Sequence, residues 1–178
     1  MDIEKLWQDC VRFHGHECPG LAIGFRASLI AMEHLGVQLD ATMNETAVCV
    51  TENDACGVDA VMFLTGCTLG KGNLVYRGTG KMAFSFFLRD SGKSVRVVLR
   101  HDIPKMDRDA LRYHLIYGPA EELFEVKVPH YPAPERTRKF KDFICTRCGE
   151  AAPEHRIRLE NGAPLCMDCY TEYRRWPE

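Results

Sequence analysis

Apolar positions Ile3, Leu6, Trp7, Cys10 and Phe13 recur every three to four residues, which predicts an amphipathic helix over 3–14 stopped by Gly15. Pro19 suits the first position of a second helix, and Leu21, Ala22, Phe25, Leu29, Met32 and Leu35 carry it to Gly36. The run TAVCVT (46–51) reads as a strand. Asn53 and Asp54 are capping residues for a short third helix over Gly57–Leu64. The glycine-punctuated stretch GCTLGKGN (66–73) is a loop, and LVYRG after it is a strand.

Segments 81–89 and 93–100 flank Asp90-Ser91-Gly92 as a β-hairpin. Residues 107–117 return to helical spacing, Pro119 opens a further turn of helix, and Leu123–Val128 closes the pattern as a strand. Pro129, Pro132 and Pro134, followed by Arg136, Arg138 and Lys139, then predict an extended linker. Helices first and hairpin signals later favour an α+β core over repeating βαβ units. The expected organisation is a core over 1–130, a linker over 131–142 and a small module over 143–178.

At 178 residues, 46% hydrophobic and 27% charged, the chain has the profile of a water-soluble globular protein with one ordinary domain and an appendage. No apolar run approaches the roughly 20 residues that span a bilayer, and MDIEKLWQDC lacks the order of a secretory signal. A cytoplasmic location is therefore expected, with no membrane partner. In that compartment nine cysteines point to metal or thiol chemistry and not to disulfides.

Four of the nine form one pattern. Cys145-x2-Cys148, a 17-residue interval and Cys166-x2-Cys169 have the spacing of a four-cysteine zinc site, because each pair can reach one ion from a tight turn. Gly149 suits the first turn and Asn161-Gly162 a hairpin between the pairs. Met167–Trp176 has helical character, so a knuckle, a hairpin and a helix would make a treble-clef zinc finger. An iron site of rubredoxin type is the competing reading, and it repeats the Cys-x2-Cys-Gly turn at both pairs. Few apolar residues lie between the pairs, so metal binding must supply much of the folding free energy. Nine Lys/Arg against eight Asp/Glu over 131–178 leave the module near neutral, which argues against nucleic acid.

The densest remaining chemistry is Phe13-His14-Gly15-His16-Glu17-Cys18-Pro19-Gly20 at the join of two helices. Cys18 stands at a helix N-terminus, where unpaired N–H groups favour a thiolate, and Cys56 holds a similar place before the third helix with Asp59 on its face. Cys67 lies in the glycine loop beside Lys71. His14, His16, Cys18 and Cys67 are candidates for a second metal site suited to zinc, nickel or iron. Cys56, Asp59 and Lys71 are candidates for thiol, proton and anion roles. The alternative is packing, with Cys67 as a small core residue and His16 as a helix cap; Cys10 and Cys49, on an apolar helix face and a strand, are taken as core. Loop 66–73 departs from a phosphate loop in its spacing and in Gly72, leaving at most a backbone nest with Lys71 as countercharge.

Together, FHGHECPGLAIGFR (13–26), Cys56-Gly57-Val58-Asp59-Ala60, GCTLGKGN and the four-cysteine module resemble the FmdE family of formylmethanofuran dehydrogenase components. The resemblance implies an α+β core with a C-terminal treble-clef zinc finger, homodimerisation, and a cleft gathering His14, His16, Cys18, Cys56, Asp59, Cys67 and Lys71. It also implies association with a molybdenum or tungsten enzyme of methanogenesis. Three functions follow as expectations: a metal-binding accessory protein of such an enzyme, a stand-alone metal- or thiol-dependent enzyme acting on a small anionic substrate, or a zinc-finger adaptor without catalysis.

Overall fold

The computed structural model describes residues 2–38 and 46–176. They fall into two compact units that divide between Arg136 and Thr137. In the first, α1 (Ile3–His14) and α2 (Pro19–Leu35) precede β1 (Ala47–Thr51), α3 (Gly57–Thr65) and β2 (Leu74–Tyr76). The hairpin β3 (Ala83–Leu88) and β4 (Ser94–Leu99) follows, then α4 (Arg108–Tyr117), α5 (Ala120–Leu123) and β5 (Phe124–Lys127). The sheet order is β2-β1-β3-β4-β5; only the β1–β2 pair, joined through α3, is parallel.

Local signals set the helix ends. Asp2 caps α1 by accepting the Lys5 N–H at 3.1 Å, and Asp107 caps α4 by accepting from Asp109 and Ala110. Gly15 ends α1 in a left-handed conformation (φ +97°) that only glycine adopts cheaply. Twelve of the 17 residues of α2 are buried, because the helix is enclosed by β3, β4, α3 and α4. Its one buried hydroxyl, Ser28, donates to the Gly24 carbonyl at 2.8 Å. Trp7 meets Phe25 edge-on at 5.2 Å, which anchors α1 on α2.

On the other sheet face Val48, Val50 and Phe87 are covered by Val75 and Tyr131. Residues 131–136 of the expected linker thus lie with the first unit, where the Arg89 guanidinium also donates to the Pro134 carbonyl. Leu123 belongs to α5 and not to the strand predicted over 123–128. Beneath Tyr131 the fully buried Glu52 accepts from Arg96 Nε at 2.6 Å and from the Thr79 hydroxyl at 2.8 Å. Burial alone would raise the Glu52 carboxyl, but Arg96 and Thr79 outweigh it and hold the group below its ordinary range.

The second unit is built of two hairpins. Strands β6 (Asp142–Ile144) and β7 (Ala151–Pro153) flank the first cysteine pair, and β8 (Ile157–Glu160) and β9 (Ala163–Cys166) carry the second. The helix expected over Met167–Trp176 does not form; the chain makes a turn at 167–169 and then runs without regular structure. Tyr173 and Trp176, which would have formed its apolar stripe, are 82% and 85% exposed, and so short a helix has little stability without packing. The described residues therefore show a four-cysteine, two-hairpin module and no closing helix of a treble clef.

Candidate metal centres and the core cleft

In the second unit the Sγ atoms of Cys145, Cys148, Cys166 and Cys169 lie within 4.8 Å of one another. Cys148 Sγ and Cys166 Sγ are 3.9 Å apart, close to the roughly 3.8 Å that tetrahedral Zn–S bonds of ~2.3 Å require. The two knuckles are alike: Gly149 N–H donates to the Cys145 carbonyl and Tyr170 N–H to the Cys166 carbonyl, each at 2.9 Å. Backbone N–H groups of Cys148 and Cys166 aimed at Cys145 bring its thiol down to about 6, ready to ligate. Arg147 pairs with Glu160 at 2.7 Å and donates to the Cys169 carbonyl, fastening one knuckle to the other.

The first unit gathers a second set of donors. His14, His16, Cys18 and Cys56 each offer one atom within 4.8 Å of the others. The first three arrive together, because Gly15 reverses the chain between α1 and α2 and brings the His14 and His16 rings to 4.5 Å in a tilted contact. Cys18 is the N-cap of α2, and its Sγ accepts the Leu21 N–H at 3.2 Å. Cys56 is delivered by a close crossing of α2 and α3, since a Cβ on Gly24 would lie 1.9 Å from the Gly57 carbonyl oxygen. A Cβ on Gly20 would likewise lie 3.3 Å from that of Cys56.

Two features test whether these residues fit an ion. His14 Nδ1 is 2.7 Å from Asp59 Oδ2, a contact that orients the ring, and His14 Nε2 is buried with no hydrogen-bond partner among the described residues. A carboxylate behind an imidazole whose second nitrogen is free for a ligand is the usual support of a metal-bound histidine. Two imidazoles and two thiols then suit a borderline transition metal. Burial, and next its contact with Cys18, push the Cys56 thiol up.

Other expected members lie elsewhere. Cys67 is fully buried in the core with its thiol 3.9 Å from the Ala47 carbonyl oxygen, because the turn after α3 directs it inward. Asn73 fixes that turn by accepting the Thr68 N–H at 2.8 Å and donating to the same Ala47 carbonyl. Lys71 sits on this loop and is absent from the described lining of the cleft at the donor cluster. That cleft, about 520 Å³, opens between the end of α1, the β1–α3 turn, α3 and β2, with His14, Cys56 and Asp59 on its wall. Cys10 is buried in the core as expected, and burial pushes its thiol up to about 12.

Spacing gave no hint of three further participants. Arg112 of α4 pairs with Glu17 at 2.9 Å and tethers the HGHEC junction from outside, while Asp54 and Tyr76 enter the cleft from the turn before α3 and the end of β2. Arg112 and Glu17 are 95 positions apart.

Comparison with known proteins agrees with this architecture. A family model for "FmdE, Molybdenum formylmethanofuran dehydrogenase operon" matches residues 13–129, and one for the prokaryotic dksA/traR C4-type zinc finger matches residues 138–175. The second match supports structural zinc in the C-terminal module. A probable S-adenosyl-L-methionine-binding protein of Archaeoglobus fulgidus is 32% identical over 96% of this chain, which spans only 54% of that relative's length. The crystal structure of a tungsten formylmethanofuran dehydrogenase FmdE-like protein from Syntrophus aciditrophicus is similar with a TM-score of 0.71. The two are 26% identical, and the match covers 94% of this chain and 91% of that one. With the family match running from the HGHEC junction through the whole core sheet, this chain belongs to the FmdE family.

Proposed function

We propose that this protein serves a molybdenum- or tungsten-dependent C1 redox enzyme as a metal-binding accessory protein, with its core ion held by His14, His16, Cys18 and Cys56. The observation that carries the reading is the convergence of four donor residues, among them His14 with a buried ring nitrogen that has no partner among the described residues. Family membership and the name of the Syntrophus relative support the link to such an enzyme. The C-terminal module is read as a structural zinc site.

A zinc, nickel or iron ion in the core would supply Lewis acidity or, for the redox-active metals, an electron. The chain's own residues do the rest. Asp59 fixes the ring of His14, the Leu21 N–H steadies the Cys18 sulfur, and Arg112 with Glu17 holds the junction in place. The family resemblance supports a further reading of the chain as a homodimer.

Metal counting on protein purified without oxygen tests the core site. Two ions per chain are expected, falling to one in His16→Ala with Cys18→Ser; one ion in both proteins overturns it. Recovery of a large molybdenum or tungsten protein with the chain from native cells tests the accessory role. Turnover by the isolated chain, with no such protein bound, overturns that role in favour of a stand-alone enzyme.

A further inference from the structure

The cleft beside the core donors has a chemical character of its own. Met62, Leu69 and Tyr76 give it apolar and aromatic wall, and Asp54 and Asp59 give it carboxylates. No lysine or arginine is among the described lining residues. Its volume of about 520 Å³ falls within the range of ordinary small-molecule sites. The cleft ends on two of the candidate metal donors, His14 and Cys56.

Charge decides what such a cleft admits. A divalent ion on two thiolates and two neutral imidazoles leaves the donor cluster neutral, so Asp54 and Asp59 set the local sign. An anion would meet two carboxylates with no countercharge, and Lys71, the cation expected to receive one, is not on the lining. A cation would gain from both carboxylates and from the exposed Tyr76 ring. We infer that this cleft binds a small organic onium ion with an apolar body, an alkylated ammonium or sulfonium, against Asp54 and Tyr76. The inference rests on the reading of the neighbouring donors as a metal site.

The test uses the full zinc-loaded chain with benzyltrimethylammonium and, as its anionic counterpart, phenylacetate, both followed by calorimetry. Asp54 and Tyr76 are exposed and outside the donor set, so Asp54→Asn and Tyr76→Leu are expected to fold. The cation should bind about tenfold more weakly to Asp54→Asn, through loss of one nearby charge. It should bind roughly two- to fivefold more weakly to Tyr76→Leu, through loss of the ring face. Phenylacetate should not bind. Equal binding of the two probes, no binding of the cation, or binding unchanged in both variants overturns the inference. Cobalt(II)-thiolate absorption lost on His16→Ala with Cys18→Ser reads the core metal site separately. That band without cation binding ends the ligand assignment alone, and cation binding without the band ends the metal assignment alone.

Discussion

His14 turns one ring nitrogen to Asp59 at 2.7 Å and keeps the other buried, with no partner among the described residues. A buried polar nitrogen left alone costs on the order of 1–3 kcal/mol, so the arrangement is costly unless something binds there. Asp59→Asn keeps the shape and removes the charge behind the ring. Core metal affinity should fall by about 10- to 100-fold while the C-terminal ion stays bound. Chelator competition followed by elemental analysis reads both ions at once, and an unchanged core affinity refutes the role given to Asp59.

The crossing of α2 and α3 predicts a sharp glycine requirement. Gly24→Ala would drive a methyl group into the Gly57 carbonyl, which backbone separation alone can relieve. A loss of about 1–3 kcal/mol, or failure to fold, is expected, with weaker core metal binding because Cys56 rides on α3. Gly70→Ala, where a Cβ meets nothing within 4 Å, is the control and should leave the melting temperature nearly unchanged.

Acid should weaken the core through Glu52. Its folded value is lowered, so its contribution is full above the unfolded glutamate value of ~4.3 and disappears as pH falls through the lower folded value. Denaturant unfolding between pH 5 and pH 3 should therefore show a shallower pH dependence in Glu52→Gln than in wild type. Glu52→Ala, which strands Arg96 in a nearly dry site, should cost about 3–5 kcal/mol at neutral pH.

Zinc removal should act on one unit alone. Among the described residues the second unit has a buried cluster of only Cys145, Leu165 and Cys166, too small to fold without its ion. A chelator strong enough to strip it should abolish hydrogen-exchange protection across 142–166 and spare β1, β3 and β4. Protection that survives in β6–β9 after complete metal loss refutes metal-dependent folding of the module.

Much of the core was legible because punctuation and periodicity agreed: Gly15, Pro19 and Gly36 bracket the first two helices where the apolar spacing starts and stops. Three of the four core donors were legible for a simpler reason, being contiguous in the chain. Cys56 joins them through a contact between glycines 24 and 57, which leaves no trace in spacing. Cys67 has the residue type of a ligand, but Asn73 and the Ala47 carbonyl fix the turn that directs it into the core, and neither contact shows in spacing. The tyrosines after Cys169 carry a helical rhythm, but a rhythm predicts a helix only where a surface exists to receive its face. Tyr173 and Trp176 find none in their unit.

The contact between Gly24 and Gly57 also bears on how this protein can change over time. Cys18 and Cys56 open two helices whose main chains touch, so the span between their sulfurs is fixed by peptide groups and not by interchangeable side chains. Drift among the leucines, phenylalanines and valines of the core can proceed without altering that span, whereas any side chain at either glycine would widen it in one step.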